Sequence, residues 1–345
     1  MEFWRWTGGA GEGSQTVNHR RDGRQQRILK AAVPRPTGSS RGPGSGAVDA
    51  AGVLDSRGLP DPELIKQWDA IILEPAVKDR LLAQAILNFT IRPRVDREQV
   101  PLHGLIFLHG PPGTGKTSLA RGLASRTAEC VTGLGDFLYI EVEPHALASA
   151  ALGRSQRAVR DLLGLTIAEH AAAGPLIVLL DEVETLAADR SKLSLDANPV
   201  DVHRATDAVL AQLDHLASRF PNLLFIATSN FTKAVDPALL SRADLVERIE
   251  LPGPSACRQI LTATIASLAK VFPQIDSITR QKEFQQAVEL CHGIDGRRIR
   301  KLVLSACTFD KQTALDPNHL TAADVLKAVQ HARRELQSRE ELPCL

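Results

Sequence analysis

The sequence predicts an α/β protein: a five-stranded parallel sheet flanked by helices, followed by a small all-helical domain. Three observations carry this reading. Short apolar runs recur at 105–110 (LIFLHG), 137–143 (FLYIEVE), 176–182 (LIVLLDE), 223–230 (LLFIATSN) and 246–253 (VERIELPG). Segments of helical periodicity lie between them, among them SQRAVRDLLGLTIAEHAA and DVHRATDAVLAQLDHLASR; strands alternating with helices indicate a parallel sheet covered on both faces. After Pro254 the strands stop, and SACRQILTATIASLAKVF, KEFQQAVELCHG, GRRIRKLVLSACTF and TAADVLKAVQHARRELQSR read as amphipathic helices, the last opened by a Thr cap.

The elements divide the 345 residues into three segments. Residues 1–55 are dominated by Gly, Arg, Ser and Pro, lack apolar periodicity and are expected to be disordered. A transit peptide is an alternative for this leader, but Glu2, Glu12 and Asp22 dilute that signal. Residues 56–253 form the α/β domain, with order beginning near LPDPELIKQWDAIILEPAVKDRLL. There Leu81, Leu82, Ala85 and Ile86 follow helical spacing behind the Glu74-Pro75 start signal. Residues 254–345 form the helical domain.

Composition excludes several classes of function. Forty-one basic residues against forty acidic ones give a net charge of +1, without the cationic surplus that general nucleic-acid binding needs. Apolar runs such as LIVLL fall far short of the roughly 20 residues that cross a bilayer. Five cysteines, Cys130, Cys257, Cys291, Cys307 and Cys344, show no CxxC pairing; they read as structural thiols in a reducing, cytoplasmic setting. No HExxH metalloprotease motif occurs.

The chemistry concentrates between the first apolar run and the helix after it. Gly110, Pro111, Pro112, Gly113, Thr114, Gly115, Lys116, Thr117 and Ser118 fit GxxxxGK[ST], a loop whose glycines let backbone N–H groups close around phosphates. Lys116 is expected at the β and γ phosphates of ATP, and the Thr117 hydroxyl in the magnesium shell. The helix that follows points its positive end at the same anion.

A second buried strand ends in Asp181 and Glu182. Paired carboxylates there are costly unless a cation faces them, which Mg2+ with ATP supplies. Asp181 is the candidate for orienting the hydrated metal, and Glu182 for polarising the attacking water. The competing reading of these acids is a solvated turn, DEVE, with Glu184 merely exposed; the phosphate loop beside them argues against it. TSN at 228–230 ends the next strand and places Asn230 where its amide can meet the γ-phosphate or the water.

Together, QWDAIILEPAVKDRLL, LHGPPGTGKTSL, LLDEVETLAADR, NPVDVHRATDAVLAQLD, TSNFTKAVDPALLSRADL and GIDGRRIRKL resemble the AAA+ ATPases. Within them the chain is similar to the pachytene checkpoint family, whose members remodel HORMA-domain proteins; the likeness covers roughly residues 66–335. The resemblance implies a homohexameric ring with ATP at each subunit boundary. Arg242 then matches the arginine finger acting on the neighbour's γ-phosphate, while Leu245 stands where many relatives carry a second arginine.

Arg297 matches the lid arginine that senses the γ-phosphate; Arg298 and Arg300 share its helix, and the pattern leaves open which side chain faces the nucleotide. Asp69, Ala70 and Ile71 lie where related proteins build part of an adenine pocket. At the pore loop, Ala151 and Leu152 replace the aromatic pair of the family, ahead of a matching Gly153, Val159 and Arg160. Two functions follow from the resemblance: an ATP-driven remodeller that threads a protein partner, or a nucleotide-switched ring that recruits a partner without threading it.

Overall fold

A computed structural model describes residues 48, 50–143, 154–185, 187 and 199–340, with the side chains of all but 154–156, 199–205 and 339–340 of these. The amino-terminal residues 1–47 and the pore-loop positions Ala151, Leu152 and Gly153 lie outside the described residues.

The five predicted strands form as β2 (Leu105–His109), β3 (Phe137–Val142), β4 (Leu176–Leu180), β5 (Leu223–Ser229) and β6 (Leu245–Arg248). Among the described residues the sheet nevertheless has six strands, in the order β1-β3-β4-β5-β2-β6. The added strand, β1 (Val53–Leu59), pairs antiparallel with β3, Ser56 opposite Ile140, at one edge of an otherwise parallel sheet. Its sequence, VLDSRGL, carries two charges and a glycine, so no apolar alternation announces it; β3 supplies the hydrogen bonds that define it. β6 stops at Arg248, short of the predicted 253; Ile249 N still donates to the His109 carbonyl at 2.7 Å, and Pro252 has no N–H with which to extend the ladder.

Every residue of β4 and β5 is buried, as expected for strands covered on both faces. On one face Phe107, Ile140, Val178, Leu180 and Phe225 pack with Leu162, Ile167, Leu213 and Leu216. The last four belong to α4, built of the consecutive segments Arg154–Val159, the π-helical Arg160–Ile167 and Ala168–Ala173, and to α5 (Pro199–Arg219). On the other face Ile106, Leu108, Tyr139, Ile177 and Ile226 meet α1 (Pro62–Ala70), α2 (Pro75–Thr90) and α3 (Lys116–Cys130) through Trp68, Leu81, Phe89, Leu119 and Leu123. Successive strand residues thus serve opposite cores, as the period of two requires.

The short α6 (Pro237–Leu240) leads to β6. The carboxyl-terminal helices are α7 (Pro254–Ala269), α8 (Lys282–Leu290), α9 (Gly296–Ala306), the short α10 (Lys311–Leu315) and α11 (Ala322–Glu340). They enclose a separate core around Leu261, Ile265, Phe284, Ile299, Val303 and Val329. The Thr cap of α11 forms as a reciprocal pair: Thr321 N donates to Asp324 Oδ2 at 3.1 Å, and Asp324 N to Thr321 Oγ1 at 3.2 Å. Among the described residues no helix is long and apolar enough to cross a membrane.

Candidate active site

Strands β4, β5 and β2 are neighbours in the sheet, so the segments leaving their carboxyl ends converge although they lie far apart in the chain. In open α/β sheets this is where ligands bind. The loop after β2 runs from Gly110 to Gly115 and wraps tightly. A Cβ at Gly110, where φ is +143°, would lie 2.2 Å from the Ile249 carbonyl oxygen; one at Gly113, φ +80°, would lie 2.1 Å from Asp295 Oδ1. Gly115 leads into α3 without a side-chain cap, leaving the first amides of that helix available to an anion.

Lys116 is only 5% exposed. Its ammonium donates to the carbonyls of Gly110 and Pro111, each at 2.9 Å, and to Asn230 Oδ1 at 2.8 Å. Burial pulls its pKa below the ordinary lysine value, opposed chiefly by the carboxylates of Glu184 and Asp181. Thr117 Oγ1 donates to Asp181 at 2.9 Å, and Asp181 also accepts from the hydroxyl of Thr228. Asn230 Nδ2 donates to Glu182 Oε1 at 3.3 Å. Glu182 itself is held at φ +49°, a left-handed conformation that is uncommon for a side-chain-bearing residue and recurs at functional sites.

The proposed phosphate loop, acid pair and strand-end amide are therefore one connected network. Of the remaining loop residues, Thr114 Oγ1 donates to the Pro111 carbonyl at 2.9 Å, Ser118 lines the adjoining cavity and Pro112 is exposed.

The helical domain closes one side. Arg297 N donates to the Gly113 carbonyl at 3.2 Å. A cavity of about 190 Å³ between loop and lid is lined by Ile71, Ile72, Leu73, Pro252, Arg297 and Arg300, among others. The three rival arginines separate here. Arg297 and Arg300 both line the cavity beside the loop, Arg300 while donating to the Ala70 carbonyl, whereas Arg298 turns away to Glu335 on α11. Of the residues aligned with an adenine pocket, Ile71 lines the cavity, whereas Asp69 pairs with Arg126 at 2.7 Å on the surface.

Arg242 precedes β6 and lies outside this network. Its Nε and Nη2 donate to the two carboxylate oxygens of Asp214 on α5, each at 2.8 Å. Its neighbours in the motif are structural. Asp236 caps α6 through Ala238 N at 2.8 Å. Asp244 accepts from the amides of His103, Gly104 and Leu105, tying the Arg242 loop to the start of β2.

Four residues that sequence reasoning missed help to shape these sites: Glu184, Asp214, Thr228 and Asp295. Glu184 is half-buried, and its Oε1 accepts from Asn230 N at 3.1 Å. The signal for Asp295 was legible: an Asp ahead of a helix-opening Gly-Arg, which caps α9 by accepting from Arg298 N at 2.9 Å. The set fits a nucleotide polyphosphate. A Cβ-free cradle, an uncapped helix start, a buried cation, and a hydroxyl beside a carboxylate converge on the loop between β2 and α3.

This arrangement defines a P-loop nucleotide-binding protein with a helical lid. The model of the family described as "ATPase family associated with various cellular activities (AAA)" matches residues 106–251. CD-NTase-associated protein 6 of Pseudomonas aeruginosa is 56% identical over 295 residues, covering 86% of this chain and 97% of that protein. The pachytene checkpoint protein 2 homolog of Oryza sativa subsp. indica is 31% identical over 341 residues, covering 86% of this chain and 70% of that protein. The chain belongs to the AAA ATPases, in the pachytene checkpoint family. A solved chain from the E. coli MS115-1 HORMA:CdnC:Trip13 complex shares the fold, with a TM-score of 0.63 and 18% identity over 81% of this chain and 94% of that one.

Proposed function

We propose that this protein hydrolyses ATP to remodel a HORMA-domain partner, working as a homohexameric ring in which each ATP lies between two copies. The observation that carries the proposal is the hydrogen-bonded chain from Lys116 through Asn230 to Glu182 at the mouth of the phosphate loop. The relatives named above support the partner class.

Thr117 and Asp181, hydrogen-bonded to each other, would hold magnesium, Asp181 through water, and the ion would supply charge neutralisation on the phosphate oxygens. With ATP bound, Lys116 would exchange the Gly110 and Pro111 carbonyls for phosphate oxygens. Asn230 and Glu182 then orient and polarise the attacking water. Arg297 reports the γ-phosphate to the lid. Arg242 of the next copy stabilises the charge that develops in transfer.

The test is ATP turnover and partner conformation measured together, with a purified HORMA-domain protein encoded beside this chain. Stimulated turnover and a changed partner conformer support remodelling. A partner retained in ATP without a change of conformer supports the switched ring instead, and Leu152→Ala then leaves the output unchanged. No stimulation and no binding remove the HORMA assignment while leaving the ATPase reading intact.

A further inference from the structure

Glu184, to which the sequence by itself assigns no role, sits inside the site. It lies in the 3-10 turn Val183–Thr185 that leaves β4, anchored by Val183, whose side chain is fully buried. Its Oε1 accepts the backbone N–H of Asn230 at 3.1 Å, while its Oε2 is buried without a hydrogen-bond partner. Glu184 is also the acid that most favours the charged form of Lys116.

A desolvated carboxylate oxygen with no donor costs stability, on the order of 1–3 kcal/mol. A neutral side chain would avoid that cost. Local conflicts of this kind mark functional positions, and a second one lies two residues away in the left-handed backbone of Glu182. Asn230 is the residue that joins the two. Its amide side chain spans Lys116 and Glu182, at 2.8 and 3.3 Å, and its backbone bond to Glu184 ties the end of β5, from which that side chain projects, to the turn that leaves β4.

We propose that Glu184 is a positioning residue for hydrolysis: it holds Asn230 by its backbone, so that the Asn230 amide stays aligned with the water-activating Glu182. Glu184 touches no reacting atom and acts through Asn230. The inference deepens the ATPase reading and rests on it.

The experiment is single-turnover hydrolysis and ATP affinity for the full chain and its variants. In Glu184→Ala, turnover is expected to fall about tenfold to a hundredfold, the scale of a misplacement near 1 Å, with ATP Kd within about threefold of wild type. Glu184→Gln keeps a carbonyl acceptor for the Asn230 N–H and is expected to recover most of the lost turnover. In the cycle with Asn230→Ala, the double variant is expected to be no slower than Asn230→Ala alone.

Multiplying losses in the double variant, unchanged turnover in Glu184→Ala, or a loss confined to Kd would each overturn the proposal. Should Glu184→Ala not fold, Glu184→Asp, which withdraws the carboxylate by one methylene, takes its place with the same expectations. Absent turnover in the wild type sinks the ATPase reading. Turnover abolished by Glu182→Gln but untouched in Glu184→Ala sinks this inference only.

Discussion

The guanidinium of Arg242 lies against the carboxylate of Asp214, Nε on Oδ1 and Nη2 on Oδ2 at 2.8 Å each, while Nη1 donates to the Ala238 carbonyl at 2.6 Å. Fork-to-fork pairing of this kind fixes direction as well as distance. The candidate finger is therefore a held side chain in the single copy rather than a free one. The hydrogen bonds from Arg242, offset in part by desolvation, hold the Asp214 carboxyl below its ordinary value of 3.8. A depressed folded-state value means that the pair contributes stability above about pH 3.8 and loses it as pH falls through the depressed value. In denaturant titrations, the stability gap between wild type and Asp214→Asn should narrow as pH drops below 3.8. A gap independent of pH would show that the pair contributes nothing through charge.

Arg242→Ala should lower turnover by about 10³- to 10⁵-fold, the range for a finger supplied in trans, with nucleotide affinity preserved. Wild-type specific activity should rise steeply with protein concentration, because each site is completed by another copy. Adding Arg242→Ala protein to wild type should depress turnover more than dilution explains. Strictly proportional loss would place the arginine outside a shared site.

Glu182→Gln should reduce hydrolysis by about 10²- to 10⁴-fold, the contribution of a general base, while retaining ATP in equilibrium binding. The amide side chain remains within reach of Asn230, so the 3.3 Å contact survives and the loss is chemical. Equal turnover in the two proteins would remove Glu182 from the mechanism.

Arg297 and Arg298 are adjacent in sequence and should behave differently. Arg297→Ala should weaken ATP by roughly tenfold to a hundredfold, as loss of a bond to a charged group does, and ADP much less. Arg298→Ala breaks a surface pair with Glu335 and should cost at most about 1 kcal/mol of stability, with the ATP-to-ADP ratio unchanged. Calorimetry with both nucleotides distinguishes them.

Gly122 lets α1 and α3 touch: a Cβ there would lie 2.4 Å from Trp68 Cβ and 2.8 Å from Trp68 Cα. Gly122→Ala should therefore destabilise the protein by about 1–3 kcal/mol through overpacking, despite the better helix propensity of alanine. A melting temperature at or above wild type would show that α1 is free to shift.

The residues whose chemistry depends on local pattern were legible. The phosphate loop needs consecutive glycines before a Lys-Thr helix start, and an apolar run ending in Asp181 and Glu182 names a buried strand with acids at its tip. Glu184 escaped because an acid in DEVE looks like any solvated turn; its burial comes from the way Asn230, forty-six residues later, closes over it. Asp214 escaped for the same reason, being one polar residue among several on α5 until Arg242 folds onto it. Strand β1 escaped because its ladder is supplied by β3 and not by its own alternation.

The sequence by itself determined the five parallel strands, the helical domain and the candidates for handling a nucleotide, because periodicity and short motifs are local properties of the chain. Only the tertiary structure decided that Arg298 turns to Glu335 while Arg297 and Arg300 line the cavity beside the loop, that Arg242 rests on Asp214, and that Glu184 accepts the Asn230 amide. Those choices depend on which elements become neighbours, and the strand order that sets β4, β5 and β2 side by side is a long-range outcome of burying both faces of the sheet.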